Sequence, residues 1–406
     1  MNIMEIFVSS LIATVAAHAI AGVPHDSKNP VVTPDVEIRA RFERRTDKDF
    51  TKSANDNRTD FLTRIRPGVT ISKDKWAVRI QAQYAHDLIW SKASNKSTEN
   101  KDLSLAYLQV KENARTVTIG RQHISLNDER LVGAGDWTQL GRSFDGVRVK
   151  SANLDLFAAK VGLQAGISHA ARLYGVSHSS NYGTTTLLVK TDKVGATRSH
   201  VNTLDHLWKG KVGDLSAQAE LAIQGGRTGG KDLGAFAIQG GVSRALPHNL
   251  TIGAEFSMAS GGSSATKTKT FDNLYPTNHK FYGSEDMIGW RNIQELAVKA
   301  SYKTKSGATF KFGHHHFWLF DKKDGFYGAG GGLNKALGGA NLIDPTGASG
   351  RYLGSEFDLD YSRPIGKNAT LAAGVSTFTP GGFIKARNGG SAKAQNWFYI
   401  KYEIKF

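Results

Sequence analysis

Thr116-Val117-Thr118-Ile119-Gly120-Arg121-Gln122-His123, then Leu126-Asn127-Asp128-Glu129-Arg130-Leu131-Val132-Gly133, then Asp136-Trp137 and Gly141-Arg142-Ser143-Phe144-Asp145-Gly146-Val147-Arg148-Val149-Lys150: this stretch decides the fold. Two short alternating segments flank a polar link of about a dozen and a half residues, longer than most connections. From Arg142 the alternation is clean. Arg142, Phe144, Gly146, Arg148 and Lys150 share one face, and Asp145, Val147 and Val149 the other. Cations on one face and valines on the opposite one do not suit a soluble core. They suit a barrel with a wet inside and lipid outside.

Working outward, the same period-2 stripe recurs along the chain. Val36, Ile38, Ala40 and Phe42 oppose Glu37, Arg39 and Arg41; Phe61, Thr63, Ile65 and Val69 oppose Arg64 and Arg66; Trp76, Val78 and Ile80 oppose Arg79 and Gln81. Later examples are Leu221 and Ile223 against Glu220, Leu296 and Val298 against Glu295 and Lys299, and Phe398 to Phe406 against Lys401 and Glu403. Each stripe is about ten residues, the length a tilted strand needs to cross a bilayer. Short turns (Ser72–Asp74, Glu112–Ala114, Ser151–Asn153, Lys211–Asp214, Leu246–Asn249, Lys305–Gly307, Pro364–Asn368) alternate with long polar links (Thr46–Asn57, Ser125–Gly141, Ser260–Ile288, Asp321–Ser349, Thr379–Ala394). The pattern predicts an all-β, transmembrane antiparallel barrel over residues 35–406, with short periplasmic turns and long extracellular loops. About 18 strands are expected, or 16 if the ambiguous stretch Gln164–Lys209 divides differently. A β-helix would need a side-chain repeat at a fixed period, and there is none.

The chain has 406 residues, no cysteine, 44 glycines and a formal net charge of +16. Absence of cysteine fits an oxidising envelope compartment, and the positive charge implies an anionic partner. Ile6 to Ile20 is largely apolar and ends in Ala19-Ile20-Ala21, so residues 1–21 read as a secretory signal peptide. Its Met1–Glu5 start lacks the usual Lys or Arg. Residues 22–34 read as a flexible periplasmic lead-in. Phe406 closes the last stripe, resembling the aromatic signal read by the outer-membrane insertion machinery. The outer membrane is the expected location.

An inward cation ladder is the main functional feature: Arg39, Arg41, Arg64, Arg66, Arg79, Arg142, Arg148 and Lys150. Guanidinium forks keep their charge at any working pH and match carboxylates and phosphates. The alternative is that they pair with inward acids such as Glu37, Glu220, Glu255, Glu356, Asp358 and Asp360. Acids concentrate on late strands and cations on early ones, which predicts a transverse lumen field. Arg121 breaks parity, sharing the face of Val117 and Ile119. Nucleic-acid binding is excluded because the basic residues face a lumen instead of one solvent face. His314-His315-His316 places two rings on the lipid face and one inside, so no metal or other cofactor is implied. The paired glycines lack the Lys-Ser/Thr of a phosphate loop. The Asp128-Glu129-Arg130 cluster reads as loop packing or a solvated face before acid–base catalysis.

The central stretch also resembles the alginate-export family of outer-membrane porins, through Gly120-Arg121-Gln122, Asp128 to Gly133, Asp136-Trp137 and Arg142 to Arg148. Further matching residues are Phe271 to Gly283 with Asp286 and Gly289 to Asn292, then Gly354 to Leu359 and Trp397-Phe398-Tyr399. The resemblance implies a monomeric channel, not an enzyme, that passes anionic polysaccharide or oligosaccharide such as alginate. It also implies basic residues at the constriction near Arg121 and Arg148. The family's exporter carries a long periplasmic lid near its C-terminal end. Here the corresponding link, Arg363–Asn368, is a tight turn, which favours uptake or general anion diffusion over gated export. Any closure must then come from the long extracellular loops, Ser260–Ile288 and Asp321–Ser349 first, or from a separate partner; loops folding inward would carry His279, Lys280 and Arg291 towards the path. A barrel-scaffold enzyme and a surface adhesin are the competing classes.

Overall fold

The computed structural model describes residues 29–51, 57–89, 98–162, 171–194 and 197–406. The predicted signal peptide, most of the lead-in and part of the ambiguous Gln164–Lys209 stretch lie outside the described residues. The strands are β1 (Val31–Thr46), β2 (Arg58–Lys73), β3 (Trp76–Ile89), β4 (Thr98–Glu112), β5 (Arg115–Gln122), β6 (Phe144–Lys150), β7 (Leu154–Val161), β8 (Arg172–Ser180) and β9 (Gly183–Val194). They continue with β10 (Thr197–Val212), β11 (Leu215–Thr228), β12 (Lys231–Leu246), β13 (Leu250–Ala259), β14 (Lys267–Thr268), β15 (Ile293–Lys303), β16 (Thr309–Leu319), β17 (Tyr352–Ile365), β18 (Ala369–Pro380) and β19 (Gln395–Lys405). β14 is a two-residue parallel partner of β12 inside a loop. The other eighteen form one closed antiparallel wall. β1 closes it, pairing with β2 from Val31↔Ser72 to Arg45↔Arg58 and with β19 from Glu37↔Lys405 to Thr46↔Asn396. Closure leaves no unpaired edge in the membrane. Phe406 extends the seam through backbone bonds with Val36. β1 begins at Val31, so residues 31–34 belong to the wall instead of the lead-in.

The predicted parity holds. Ile65, Ile80, Leu204, Leu221, Leu296 and Ile400 are exposed and form the lipid face, while Arg39, Arg64, Gln81, Glu220 and Glu356 are buried inside. Arg79 points inward. Gly68 makes room for it, since a Cβ there would meet the Arg79 guanidinium at 2.7 Å. Leu221 lies mid-strand and is 44% exposed. Leu221→Arg is therefore expected to destabilise the folded barrel by roughly 2–4 kcal/mol, as lipid-facing cations near the midplane do. Unfolding in lipid vesicles measures it; wild-type stability for the variant would contradict the lipid-facing assignment.

The lumen is not uniformly wet. β5, β6 and β7 have only 8, 7 and 8 residues, short against the ~9–11 of a spanning strand, and β8 has 9, at its lower end. Their inner faces carry Phe144, Phe157, Ala159 and Leu173. Those residues, with Leu188 and Val201, form a core with Ile124, Leu126, Leu131 and Val132 of the 123–143 loop and Phe271, Ile288 and Trp290 of the 260–292 loop. The two loops run inside the barrel because their apolar side chains bury against this wall; outside they would face water.

Candidate functional site

The inward loops are joined before they reach the lumen centre. Gly133 donates its backbone N–H to Tyr275 O (2.9 Å), and Tyr275 and Thr277 donate theirs to Leu131 O and Glu129 O, each at 2.9 Å. Arg142 staples the ribbon through Gly133 O (2.8 Å), Tyr275 O and Pro276 O (3.2 Å). Arg142 is thus a loop-to-loop fastener within the plug, not a residue lining the pore. The ribbon is tied to the wall as well. Lys190 meets Asp272 at 2.7 Å, and Asn127 donates to Asp205 at 3.0 Å.

From the staple the 123–143 loop crosses to β1 and β2, where its tip meets the arginine ladder. Arg39 donates to Asp136 O (2.7 Å) and Thr138 O (2.8 Å). Arg41 donates to Trp137 O (2.6 Å), and its guanidinium lies 4.3 Å from the Trp137 ring. Arg64 pairs with Glu37 at 2.5 Å and with Asp136 at 3.1 Å, and Arg66 pairs with Asp136 at 2.7 Å and donates to Leu140 O at 3.0 Å. All four arginines are at most 4% exposed. The tip lies between them and the open lumen, so the ladder grips the plug. Burial would raise the Asp136 carboxyl, but the Arg64 and Arg66 guanidiniums hold it well below the usual carboxylate range.

The remaining ladder residues lie elsewhere. Arg79 pairs with Asp35. Arg148 pairs with Asp155 at 2.6 Å and reaches His123 O at 3.3 Å, and Lys150 stands 3.8 Å from Asp155 with 54% of its side chain exposed. These three face inward near the short-turn end. Arg121 does not line the pore. It faces outward, bound to Asp145 (2.7 Å) and Asp102 (2.9 Å), because strand alternation puts it with Ile119.

Further round the wall, on the other side of β18 and β19 from β1, β15 and β17 present acids. His315 is buried between Glu295 (2.7 Å) and Asp358 (3.4 Å). Asp360 accepts from Tyr399 (2.9 Å) and Ser284 (3.1 Å). The arginines thus gather on β1–β3 and these acids on β15 and β17. The 260–292 loop sits on the acidic side. Glu285 N–H donates to Glu356 (2.9 Å), and Arg45 holds Glu285 O at 2.8 Å. Gly283, at φ +83°, lets the backbone pass the Glu356 carboxyl, which a Cβ would meet at 2.4 Å. Between the two sides, Trp137 and His279 stack at 3.8 Å and 4°, with Tyr399 edge-on at 5.0 Å. This stack joins the tip of one inward loop to the other.

Two parts of it escape sequence analysis. The tip Asp136–Leu140 belongs to the Ser125–Gly141 link, whereas the long-loop closure is expected first from Ser260–Ile288 and Asp321–Ser349. Of those, the first does close inward, bringing His279 to the stack and Lys280 to Glu129 (2.8 Å), but Arg291 turns away to the Tyr327 ring at 4.5 Å. Arg45 and Arg58 also face inward, and the parity of β1 and β2 would have found both. The Pro364–Asn368 link is a tight turn, as predicted, so nothing from it reaches the plug. Among the described residues no group of three or more His, Cys, Asp or Glu could hold a metal ion.

Glu285 is expected to make seating of the plug depend on pH. Burial, with Asp358 nearby, pushes its carboxyl up to about 8 against the pull of Arg45. An acid raised in the seated loop favours seating most below its ordinary value of about 4.3, and that contribution is lost as pH rises through about 8. Raising pH from about 5 to 9 should therefore increase opening events of the plug, measured by single-channel recording, and Glu285→Gln should remove the dependence. An equal pH response in that variant would contradict the assignment.

Below the stack, towards the short turns, lies a cavity of about 930 Å³ lined by Trp137, His279, Tyr399, five lysines (Lys209, Lys280, Lys299, Lys311, Lys401) and three acids (Glu255, Asp358, Asp360). The alginate export family profile matches residues 32–398. No curated protein matches the sequence. The fold is similar to three Pseudomonas aeruginosa outer-membrane proteins. OpdO is 15% identical with TM-score 0.59, covering 92% of this chain and 97% of its own. OprD is 12% identical with TM-score 0.58, covering 93% and 94%. OccK2 (OpdF), solved in complex with glucuronate, is 12% identical with TM-score 0.59, covering 92% and 96%. With the family's profile spanning nearly the whole closed barrel, this chain belongs to the alginate export family and is an outer-membrane channel.

Proposed function

We propose that the channel passes anionic solutes, carboxylated polysaccharide or oligosaccharide such as alginate, and that it does so as a passive monomeric barrel. The carrying observation is the cavity beneath the Trp137–His279 stack, where five lysines outnumber three acids around a Trp–His–Tyr aromatic wall. Aromatic faces suit sugar rings, and the cations replace part of a polyanion's counterion atmosphere at several weak sites, which permits entry without trapping. Arg39, Arg41, Arg64 and Arg66 act on the solute through their field, since the loop tip covers them. Arg79, Arg148 and Lys150 meet it nearer the periplasmic mouth. The glucuronate complex of OccK2 supports a uronate-class solute. The inward course of the 260–292 loop fits gating better than adhesion. Phe406 would engage the insertion machinery during assembly.

Replacing Lys209, Lys299, Lys311 and Lys401 together with Gln should shift the reversal potential in a salt gradient towards cations. It should also weaken block of the current by uronate oligosaccharides. An unchanged reversal potential in a folded variant would sink the reading. Equal passage of chloride and uronate, with no block, would reduce it to a general anion porin.

A further inference from the structure

The outer wall carries a second cationic feature that the channel does not use. At the long-loop ends of β7–β10, strand register sets Lys160 directly opposite Arg172, and Lys193 directly opposite Arg198. Arg172 is also opposite Thr191, two residues from Lys193 on the neighbouring strand, so the four form one continuous patch. All four are exposed. Their parity is the lipid-facing one. Arg198 alternates in phase with Leu204, which is 51% exposed, and the opposite faces of these strands hold the buried Phe157, Leu173 and Leu188. The acid opposite Lys160, Asp145, already gives both oxygens to Arg121, at 2.7 and 3.0 Å.

Like charges directly opposite each other across a ladder are destabilising, and here the wall repeats that arrangement twice. On the far side of the barrel the equivalent level has an aromatic girdle, Trp318 with Tyr352 at 5.7 Å. Cations just beyond an exposed apolar band sit at headgroup depth, where each Lys or Arg attracts anionic lipid. We infer that this patch is a docking surface for the phosphorylated glycolipid of the outer leaflet, whose phosphate groups bridge the two like-charge pairs.

The full-length protein in phosphatidylcholine nanodiscs doped with diphosphoryl lipid A, examined by native mass spectrometry, tests this. The wild type should retain the lipid, and dephosphorylated lipid A should be retained at least about tenfold less. The variant Lys160→Gln, Arg172→Gln, Lys193→Gln, Arg198→Gln should lose diphosphoryl lipid A by a similar factor while conducting normally. A control variant, Arg44→Gln with Lys101→Gln, two exposed cations outside the patch on β1 and β4, should keep it. Equal retention of the dephosphorylated lipid, undiminished retention by the quadruple variant, or displacement by inorganic phosphate at equal concentration would each overturn the proposal. The comparison of the two lipids needs no variant, so it stands even if the quadruple variant fails to fold.

Discussion

Replacing Arg39, Arg64 and Arg66 together with Gln is expected to raise single-channel conductance severalfold and to lower anion preference in the same variant. The three guanidiniums hold the Asp136 carboxylate and the carbonyls of Asp136, Thr138 and Leu140. Hydrogen bonds to charged groups contribute about 1.5–3 kcal/mol each. Glutamine lacks both the charge and the fork, so the tip would be left with Arg41 on Trp137 O, Gln139 on Thr63 O (2.7 Å) and His86 O (3.2 Å), and the Arg142 staple at its base. Deleting residues 136–140 in an otherwise unchanged chain gives the decisive contrast. It too should raise conductance, but it uncovers the arginines and should increase anion preference. Heat-modifiable migration on gels checks that both variants are closed barrels. A folded triple variant with wild-type conductance would show that the ladder does not clamp the tip.

Arg130→Met is expected to produce the largest loss of stability. Arg130 is 1% exposed. It meets Glu255 at 2.9 Å, Glu220 at 3.2 Å and Asp128 at 3.7 Å, donates to the Tyr282 hydroxyl at 2.8 Å, and lies 4.0 Å from the Phe281 ring. Removing one member of a buried ion pair costs about 3–5 kcal/mol, because the partner charge remains without compensation. Here one cation serves two wall acids and one from the plug. Unfolding by denaturant in detergent micelles should show the loss. Arg130→Lys should recover only part of it, since an ammonium cannot satisfy three carboxylates and a phenol at fixed angles. A wild-type midpoint for Arg130→Met would contradict this account.

Sequence alone determined the wall. Side chains alternate across a strand with period two, and that period is local, so Arg39, Arg64 and Arg79 can be assigned inward and Ile65, Ile80 and Leu221 outward without any partner strand. The even strand number and the side of the long loops follow the same way, apart from the Gln164–Lys209 stretch, where polar and apolar residues mix on both faces. The role of those inward arginines was not legible. Arg39 and the Asp136 carbonyl are 97 residues apart, and Arg45 and the Glu285 carbonyl are 240 apart. Nothing periodic within a loop records which wall residue it will meet. Asp136 in sequence is one acid in a polar link; the tertiary structure makes it the centre of a guanidinium cluster. The same holds for Phe144, whose parity with Arg142 and Arg148 says only that it faces in. Whether an inward face meets water or a loop is decided by where the 123–143 and 260–292 segments bury their apolar side chains, and only the folded chain brings those surfaces together.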